Sequence, residues 1–235
     1  MTTIYANLQA VKRRIVAACS VAGRDPGTVT LLAVSKTFPA QAVRQAHAAG
    51  QRAFGESYVK EALAKQAELA DLALEWHFIG PLQSNKTRAV AEHFSWVHSV
   101  DRSKIAERLS AQRPDHLPPL NVCVEINVGG EASKSGCTPE QAPLLCRMVA
   151  GLPRLRLRGL MTIPAPGHGS PTENSALARR QFAMLRMLFE QINRQGLMLD
   201  TLSMGMSDDL EEAIMEGATI VRVGTAIFGE RNTTT

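Results

Sequence analysis

From Thr28 onward the chain alternates short apolar runs with amphipathic stretches of helical period. The run TVTLLAVSK is apolar or β-branched from Val29 to Val34, as a strand buried on both faces must be. PAQAVRQAHAAG follows, opening on Pro39 and closing on Gly50, the punctuation of a helix. The couple then recurs: RAFGES before YVKEALAKQAELA; EWHFIGPL before SNKTRAVAEHF, with Ser84 or Asn85 as the cap; SWVHSVD before RSKIAERLSAQ. LNVCVEINV precedes TPEQAPLLCRMVAGL, LRLRGLMTIP precedes TENSALARRQFAMLRMLFEQINRQG, and TLSMGMS precedes DDLEEAIMEG. TIVRVGTAIFG closes the series as an eighth strand.

Repeated strand–helix units demand a parallel sheet covered on both faces. Eight of them in roughly 200–250 residues predict one α/β domain spanning 1–235, a (β/α)8 TIM barrel. An open doubly wound sheet is the alternative. Ahead of the barrel, MTTIYANLQAVKRRIVAACSVAG sets Ile4, Leu8, Val11, Ile15 and Ala18 on one face, an extra N-terminal helix without the uninterrupted apolar core of a signal peptide. No stretch approaches the ~20 apolar residues of a membrane span. A cytoplasmic protein is expected, with the NTTT tail frayed.

Composition narrows the chemistry. Of 235 residues, 26 are Lys or Arg and 22 Asp or Glu, a net charge of +4 that suits an anionic small molecule as well as nucleic acid. Aromatics at 5% argue against a base-stacking surface. Cys19, Cys123, Cys137 and Cys146 form no CxxC pair and have no partners at ligand spacing, so they read as core residues and no metal is expected.

A parallel barrel carries its active site at the C-terminal strand ends. Those ends collect the polar residues of otherwise apolar runs: Lys36; Glu56 and Ser57; His77; His98 and Asp101; Glu125 and Asn127; Met161 and Thr162; Ser203, Met204 and Ser207; Arg222, Gly224 and Thr225. A lysine ending an apolar strand has its ammonium disfavoured, and its amine becomes a nucleophile toward carbonyls; the alternative is a lysine reaching out to solvent. Ser207, Gly224 and Thr225 lie where barrels bind phosphate, after the seventh and eighth strands, although ordinary turns also use such residues. GTAIFGER is not a phosphate loop of the GxxxxGK type, because Glu230 stands where Lys is required. Arg222 shares a strand face with Ile220 and Gly224, and inside a barrel it needs a partner, with a salt bridge to Glu56 or Glu125 as the plain explanation. A carbonyl-reactive lysine, a phosphate cradle and an arginine for a ring nitrogen together describe a pyridoxal 5′-phosphate site.

LLAVSKTFP, FGESYVKE, WHFIGPLQSNKTRAV, RGLMTIP and LSMGMSDDLEEAIMEGATIVRVGTAIFG, in that order, resemble the motifs of the pyridoxal phosphate homeostasis proteins, called YggS in bacteria and PROSC or PLPBP in animals. The resemblance spans nearly the whole chain. It implies a barrel similar to the N-terminal domain of alanine racemase, holding pyridoxal phosphate as an internal aldimine on Lys36. Ser207, Gly224 and Thr225 then take the phosphate, and Arg222 faces the pyridine nitrogen. Ser57 stands where the family usually has Asn, with a shorter reach toward the cofactor's 3-oxygen. His77, Met161, Ser203 and Met204 line the pocket by strand position. Lys134, in ASKSG, matches a family loop lysine that is either a second contact to phosphate or aldehyde, or a solvated charge.

A charged arginine donates a hydrogen bond to the ring nitrogen without supplying a proton, so the ring stays a poor electron sink. Racemisation needs an acid–base group on each face of the substrate carbon, and 235 residues leave no room for the domain that supplies the second in racemases of this fold. The expectation is therefore a monomeric carrier without strong catalytic activity, which holds the cofactor, buffers its aldehyde and delivers it to apo-forms of pyridoxal phosphate enzymes. No nucleic acid and no membrane is expected as a partner. The alternatives are a racemase or lyase of low activity, and a Schiff-base aldolase using Lys36 without a cofactor.

Overall fold

Eight parallel strands pair in sequence order and close on themselves, with β1 (Thr30–Val34) hydrogen-bonded to both β2 (Ala53–Glu56) and β8 (Ile220–Val223). This computed structural model describes residues 3–131, 134–165 and 167–230. Between those strands run β3 (Glu75–Phe78), β4 (Trp96–Val100), β5 (Leu120–Glu125), β6 (Leu155–Met161) and β7 (Thr201–Ser203). Helices alternate with them: α2 (Ala40–Ala48), α3 (Val59–Glu68), α4 (Thr87–His93), α5 (Ser103–Gln112), α6 (Ala142–Ala150), α7 (Pro171–Arg194) and α8 (Leu210–Met215). The expected (β/α)8 barrel is the observed fold, and the open sheet is excluded by the β1–β8 pairing. The NTTT tail lies outside the described residues.

Side-chain alternation divides the core in two. Leu31, Ala33, Val122, Val124, Leu160 and Val221 point outward and merge with the helix faces into one large apolar cluster. Leu32, Ala53, Trp96, Cys123, Met161 and Ile220, on the opposite faces of their strands, form a separate cluster in the barrel lumen. The N-terminal helix α1 (Ile4–Val21) buries Leu8, Val11, Ile15, Ala18 and Cys19, the predicted face, against the barrel's outer layer. Each of its larger aliphatic side chains contributes about 1.5–3 kcal/mol by burial. All four cysteines are buried. Burial pushes the thiols of Cys137 and Cys146 up to about 12 and that of Cys123 higher still, so they are inert core residues. Among the described residues no helix is long and apolar enough to cross a membrane.

Three element ends differ from expectation. Ser84 and Asn85 are not caps; they form a 3-10 turn, and α4 starts at Thr87. The long helix α7 starts at Pro171, where Ser170 and Glu173 make a reciprocal capping box. The closing run TIVRVGTAIFG is not a single strand. β8 stops at Val223, and Thr225–Phe228 coil into a short helix, α9, behind Gly224.

Candidate functional site

At the C-terminal mouth lies a cavity of about 190 Å³, lined by Val34, Lys36, Ile79, Ile163, Met206, Ser207, Asp208, Arg222, Gly224 and Thr225. Five of the ten predicted site residues therefore meet: Lys36, Ser207, Arg222, Gly224 and Thr225. A larger cleft of about 840 Å³ opens beside it and shares Ile163, Met206 and Asp208. Lys134 lines that cleft, where its Nζ donates to Pro164 O at 3.1 Å and pairs with Glu131 at 2.6 Å.

Lys36 lies two residues past the end of β1, in a turn fixed by a buried network. Ser35 Oγ donates to Glu56 Oε1 at 2.6 Å. Lys65, reaching in from α3, donates to Ser35 O at 2.6 Å, Glu56 Oε1 at 2.8 Å and Glu61 Oε1 at 2.6 Å. Glu61 also accepts the N–H of Thr37, which holds a left-handed φ of 69°. Such a residue costs roughly 1–3 kcal/mol and persists only where its surroundings over-determine it. The Lys65 ammonium and the Glu61 carboxylate do that here. Glu56 is thereby committed to the outer side of the sheet, so the salt bridge to Arg222 considered from the sequence is not made through Glu56.

Arg222 is buried in the lumen and satisfied by oxygens that are not carboxylates. Its Nη1 donates to Ser203 O at 2.7 Å and Ser203 Oγ at 2.8 Å, and its Nη2 to Thr162 O at 2.7 Å. Burial lowers its pKa to about 10, so it stays charged at neutral pH, helped by the fields of Asp209 and Glu125. No direct pairing with Glu125 occurs among the described hydrogen bonds. Three of the five guanidinium N–H groups are used, and at most two remain for the cavity that Arg222 lines. A ring nitrogen that accepts a hydrogen bond fits that donor.

Ser207, Gly224 and Thr225 meet at a tight turn beside the cavity. Gly224 caps α9, and any side chain there would meet Val34 O at 3.2 Å. Gly205 holds a φ of 92° in the loop carrying Met206 and Ser207, and a Cβ on it would fall 2.5 Å from that of Ala213. The Ala226 N–H donates to Ser207 Oγ through a long bond of 3.4 Å. With the Thr225 hydroxyl, these donors suit a phosphate oxygen. The rings of Phe38 and Phe228 pack at 5.2 Å, tying the Lys36 loop to this turn.

The remaining predicted residues are placed elsewhere. Ser57 is half-buried just past β2 and does not line the cavity. Met161 belongs to the apolar cluster of the lumen and does not line the cavity. His77 and Ser203 also lie in the lumen: His77 Nδ1 bonds to His98 Nε2 at 2.9 Å, and Ser203 Oγ to His98 Nδ1 at 2.8 Å. Met204 does not line the pocket. Successive residues of a strand face opposite ways, so with Ser203 inside, Met204 is buried in the outer core.

Other residues bear on the site without having been chosen. Arg14 of α1 donates to Ser207 O at 2.9 Å while its guanidinium grips Glu211 at 2.7 and 2.8 Å. Asn7 Nδ2 donates to Ile227 O at 3.0 Å. The extra helix therefore braces both the loop carrying Ser207 and the α9 turn. No local signal marks these two, since their partners are some two hundred residues away. Glu125, a strand-end acid noted in the sequence, shares the lumen face of Cys123; burial, and then the charge of Asp101, push its carboxyl up to about 7.

The profile of the alanine racemase N-terminal domain matches residues 6–232. The chain is 65% identical over 232 residues to the pyridoxal phosphate homeostasis protein of Pseudomonas aeruginosa, covering 99% of this chain and 97% of that one. Its identity to the protein of that name from Escherichia coli K12 is 52% over 238 residues, with coverage of 99% and 98%. PipY of Synechococcus elongatus, solved with PLP bound, superposes with a TM-score of 0.78 at 42% identity, over 93% of this chain and 100% of that chain. Alanine racemase of Corynebacterium glutamicum shares the fold, with a TM-score of 0.68 at 17% identity over 97% of this chain and 62% of that one.

Proposed function

We infer the function from the premise that this chain belongs to the pyridoxal phosphate homeostasis proteins, within the family of the alanine racemase N-terminal domain. It binds pyridoxal phosphate and serves in its homeostasis. The observation that carries the residue-level reading is the meeting of Lys36, Arg222 and the Ser207–Thr225 turn around one small cavity. The cofactor supplies an aldehyde that a lysine amine can hold as a Schiff base. In this reading the amine is that of Lys36, the ring nitrogen accepts from Arg222, and the phosphate takes the hydroxyls of Ser207 and Thr225 with the N–H groups that open α9.

The protein acts as a carrier rather than a catalyst. Arg222 donates a hydrogen bond to the ring and keeps its own proton, which leaves the bound ring a weak electron sink. The adjoining cleft gives the cavity an open side, as delivery to apo-forms of pyridoxal phosphate enzymes requires. On the same reading the protein is one barrel domain spanning 1–235, a monomer working in the cytoplasm where such recipients fold. The purified protein should be yellow, and Lys36→Ala should be colourless. Borohydride reduction and peptide mapping should place the pyridoxyl group on Lys36; a label found mainly on Lys134 overturns the assignment.

A further inference from the structure

Below the cavity a continuous line of side-chain hydrogen bonds crosses the barrel to its opposite face. Arg222 Nη1 meets Ser203 Oγ at 2.8 Å, Ser203 Oγ meets His98 Nδ1 at 2.8 Å, His98 Nε2 meets His77 Nδ1 at 2.9 Å, and His77 Nε2 meets Glu75 Oε1 at 2.6 Å. Glu75 opens β3, so it sits at the N-terminal rim, half in solvent. The other four are buried. Trp96 stacks on His77 with ring planes 5° apart and centroids at 5.3 Å, and the Arg158 guanidinium lies over Trp96 at 4.7 Å, so the His77 ring plane is fixed.

The two ends give the line a direction. A guanidinium only donates, and an ionised carboxylate only accepts. The bond from His77 holds the Glu75 carboxyl below the usual carboxylate range, so it is ionised at neutral pH. Burial keeps both imidazoles neutral, His98 most strongly, with the neighbouring His77 and Arg222 adding to the effect there. A neutral imidazole has one donor and one acceptor. Only one arrangement then satisfies every link. His77 Nε2–H donates to Glu75, His98 Nε2–H donates to His77 Nδ1, Ser203 Oγ–H donates to His98 Nδ1, and the Ser203 oxygen accepts from Arg222. The reverse tautomers would set a bare imidazole nitrogen against a carboxylate oxygen at 2.6 Å.

We propose that Glu75, His77, His98 and Ser203 form a one-way hydrogen-bond relay, through which Glu75 at the base of the barrel fixes both histidine tautomers and sets how Arg222 is presented at the mouth. These are positioning residues; they act through Arg222. Only the last step, from Arg222 to the cofactor ring, rests on the pyridoxal phosphate reading. The relay itself is a property of the cofactor-free protein. A Ser203 hydroxyl that donates to His98 is a better acceptor for Nη1, because hydrogen bonds in a chain polarise one another. That holds Nη1 down and leaves the remaining N–H groups for the ring.

The test is made first on the protein without cofactor, by 15N NMR of its histidines at neutral pH. Wild-type His77 and His98 should both carry the proton on Nε2. Glu75→Lys puts a group that only donates where one that only accepted stood. It should reverse the line and move the His98 proton to Nδ1, although His98 does not touch residue 75. Glu75→Gln keeps an acceptor oxygen and should leave His98 as in the wild type. Wild-type His98 protonated on Nδ1, or His98 signals indifferent to Glu75→Lys, overturns the relay. With pyridoxal phosphate added, the absorption maximum should move in Glu75→Lys and stay in Glu75→Gln. A reversed tautomer with an unmoved absorption overturns the link to the ring. A wild-type protein that takes up no pyridoxal phosphate counts against the functional reading alone, since the tautomers are read without it.

Discussion

Replacing Glu125 by Gln should make the cofactor-free protein more stable above neutral pH and no more stable in acid. Glu125 faces the lumen near the mouth; burial, and then the Asp101 charge, push its pKa up to about 7 from 4.5, with Arg222 opposing. Between those values the folded protein keeps a proton that the unfolded chain has released. Stability therefore falls as pH rises through the window: the contribution is fully present below about 4.5 and lost above about 7. The span of about 2.5 units, at ~1.36 kcal/mol each, gives about 3 kcal/mol as an upper figure. Gln has nearly the same shape and no charge at any pH, so it removes this one dependence. The assay is urea unfolding of both proteins at a series of pH values from 4.5 to 8.5, read as the difference between them. Taking the difference cancels other groups that titrate in the same direction, such as the buried Glu56 and Asp209. The variant should gain steadily from pH 4.5 to 7 and level off at up to about 3 kcal/mol. A difference that is flat across pH, or that favours the wild type in alkali, refutes the argument that this carboxylate is ionised at a cost.

Three further outcomes follow from the site. Ser207→Ala or Thr225→Ala should each lower pyridoxal phosphate retention on dialysis about tenfold to a hundredfold, the effect of losing one hydrogen bond worth roughly 1.5–3 kcal/mol to a charged group; unchanged retention by the double variant places the phosphate elsewhere. Arg14→Ala should cost less than about 1 kcal/mol in thermal unfolding, because its ion pair with Glu211 is part-exposed. It should nevertheless weaken cofactor retention, because the Ser207 carbonyl loses its brace, and a variant that retains the cofactor as well as the wild type argues against the bracing role. The unmodified protein should exchange the α-hydrogen of D- or L-alanine with solvent deuterium negligibly; exchange at ~1–10 per second, as ordinary enzymes show, replaces the carrier reading with a racemase.

The barrel was legible because its signal is repeated and local. Each apolar run of strand length is followed by a helical period, and the site residues that meet at the mouth are the polar residues ending those runs. What failed to show were relations the one-dimensional pattern does not hold. Ser203 and Met204 both read as strand-end residues, but alternation admits only one to the lumen, and the chosen face depends on register with β6 and β8. The α9 helix was hidden in an apolar run whose β-branched residues favour a strand, until the tight approach of Gly224 to β1 forces a turn. Arg14 and Asn7 sit among the polar residues of a surface helix, and nothing nearby in the sequence announces their carbonyl partners.

The lumen itself poses the sharper question of why so small a barrel fills its centre with an arginine, two histidines and a serine. Burying such groups carries a desolvation cost that well-packed apolar side chains avoid, and Leu32, Cys123, Met161 and Ile220 in the same lumen show that it accommodates them. The polar layer is tolerable because each of its links has a donor facing an acceptor; one wrong tautomer would leave a buried group unmet and raise the cost at once. Such a layer does not account for itself as a stabiliser of the fold. It is accounted for by what stands at its upper end. A guanidinium held by three oxygens at 2.7–2.8 Å cannot swing to the carboxylates of Glu125 or Asp209 whose fields it feels. The polar core keeps Arg222 out of a salt bridge, and on the proposed reading that leaves its remaining donors for the ring of the cofactor.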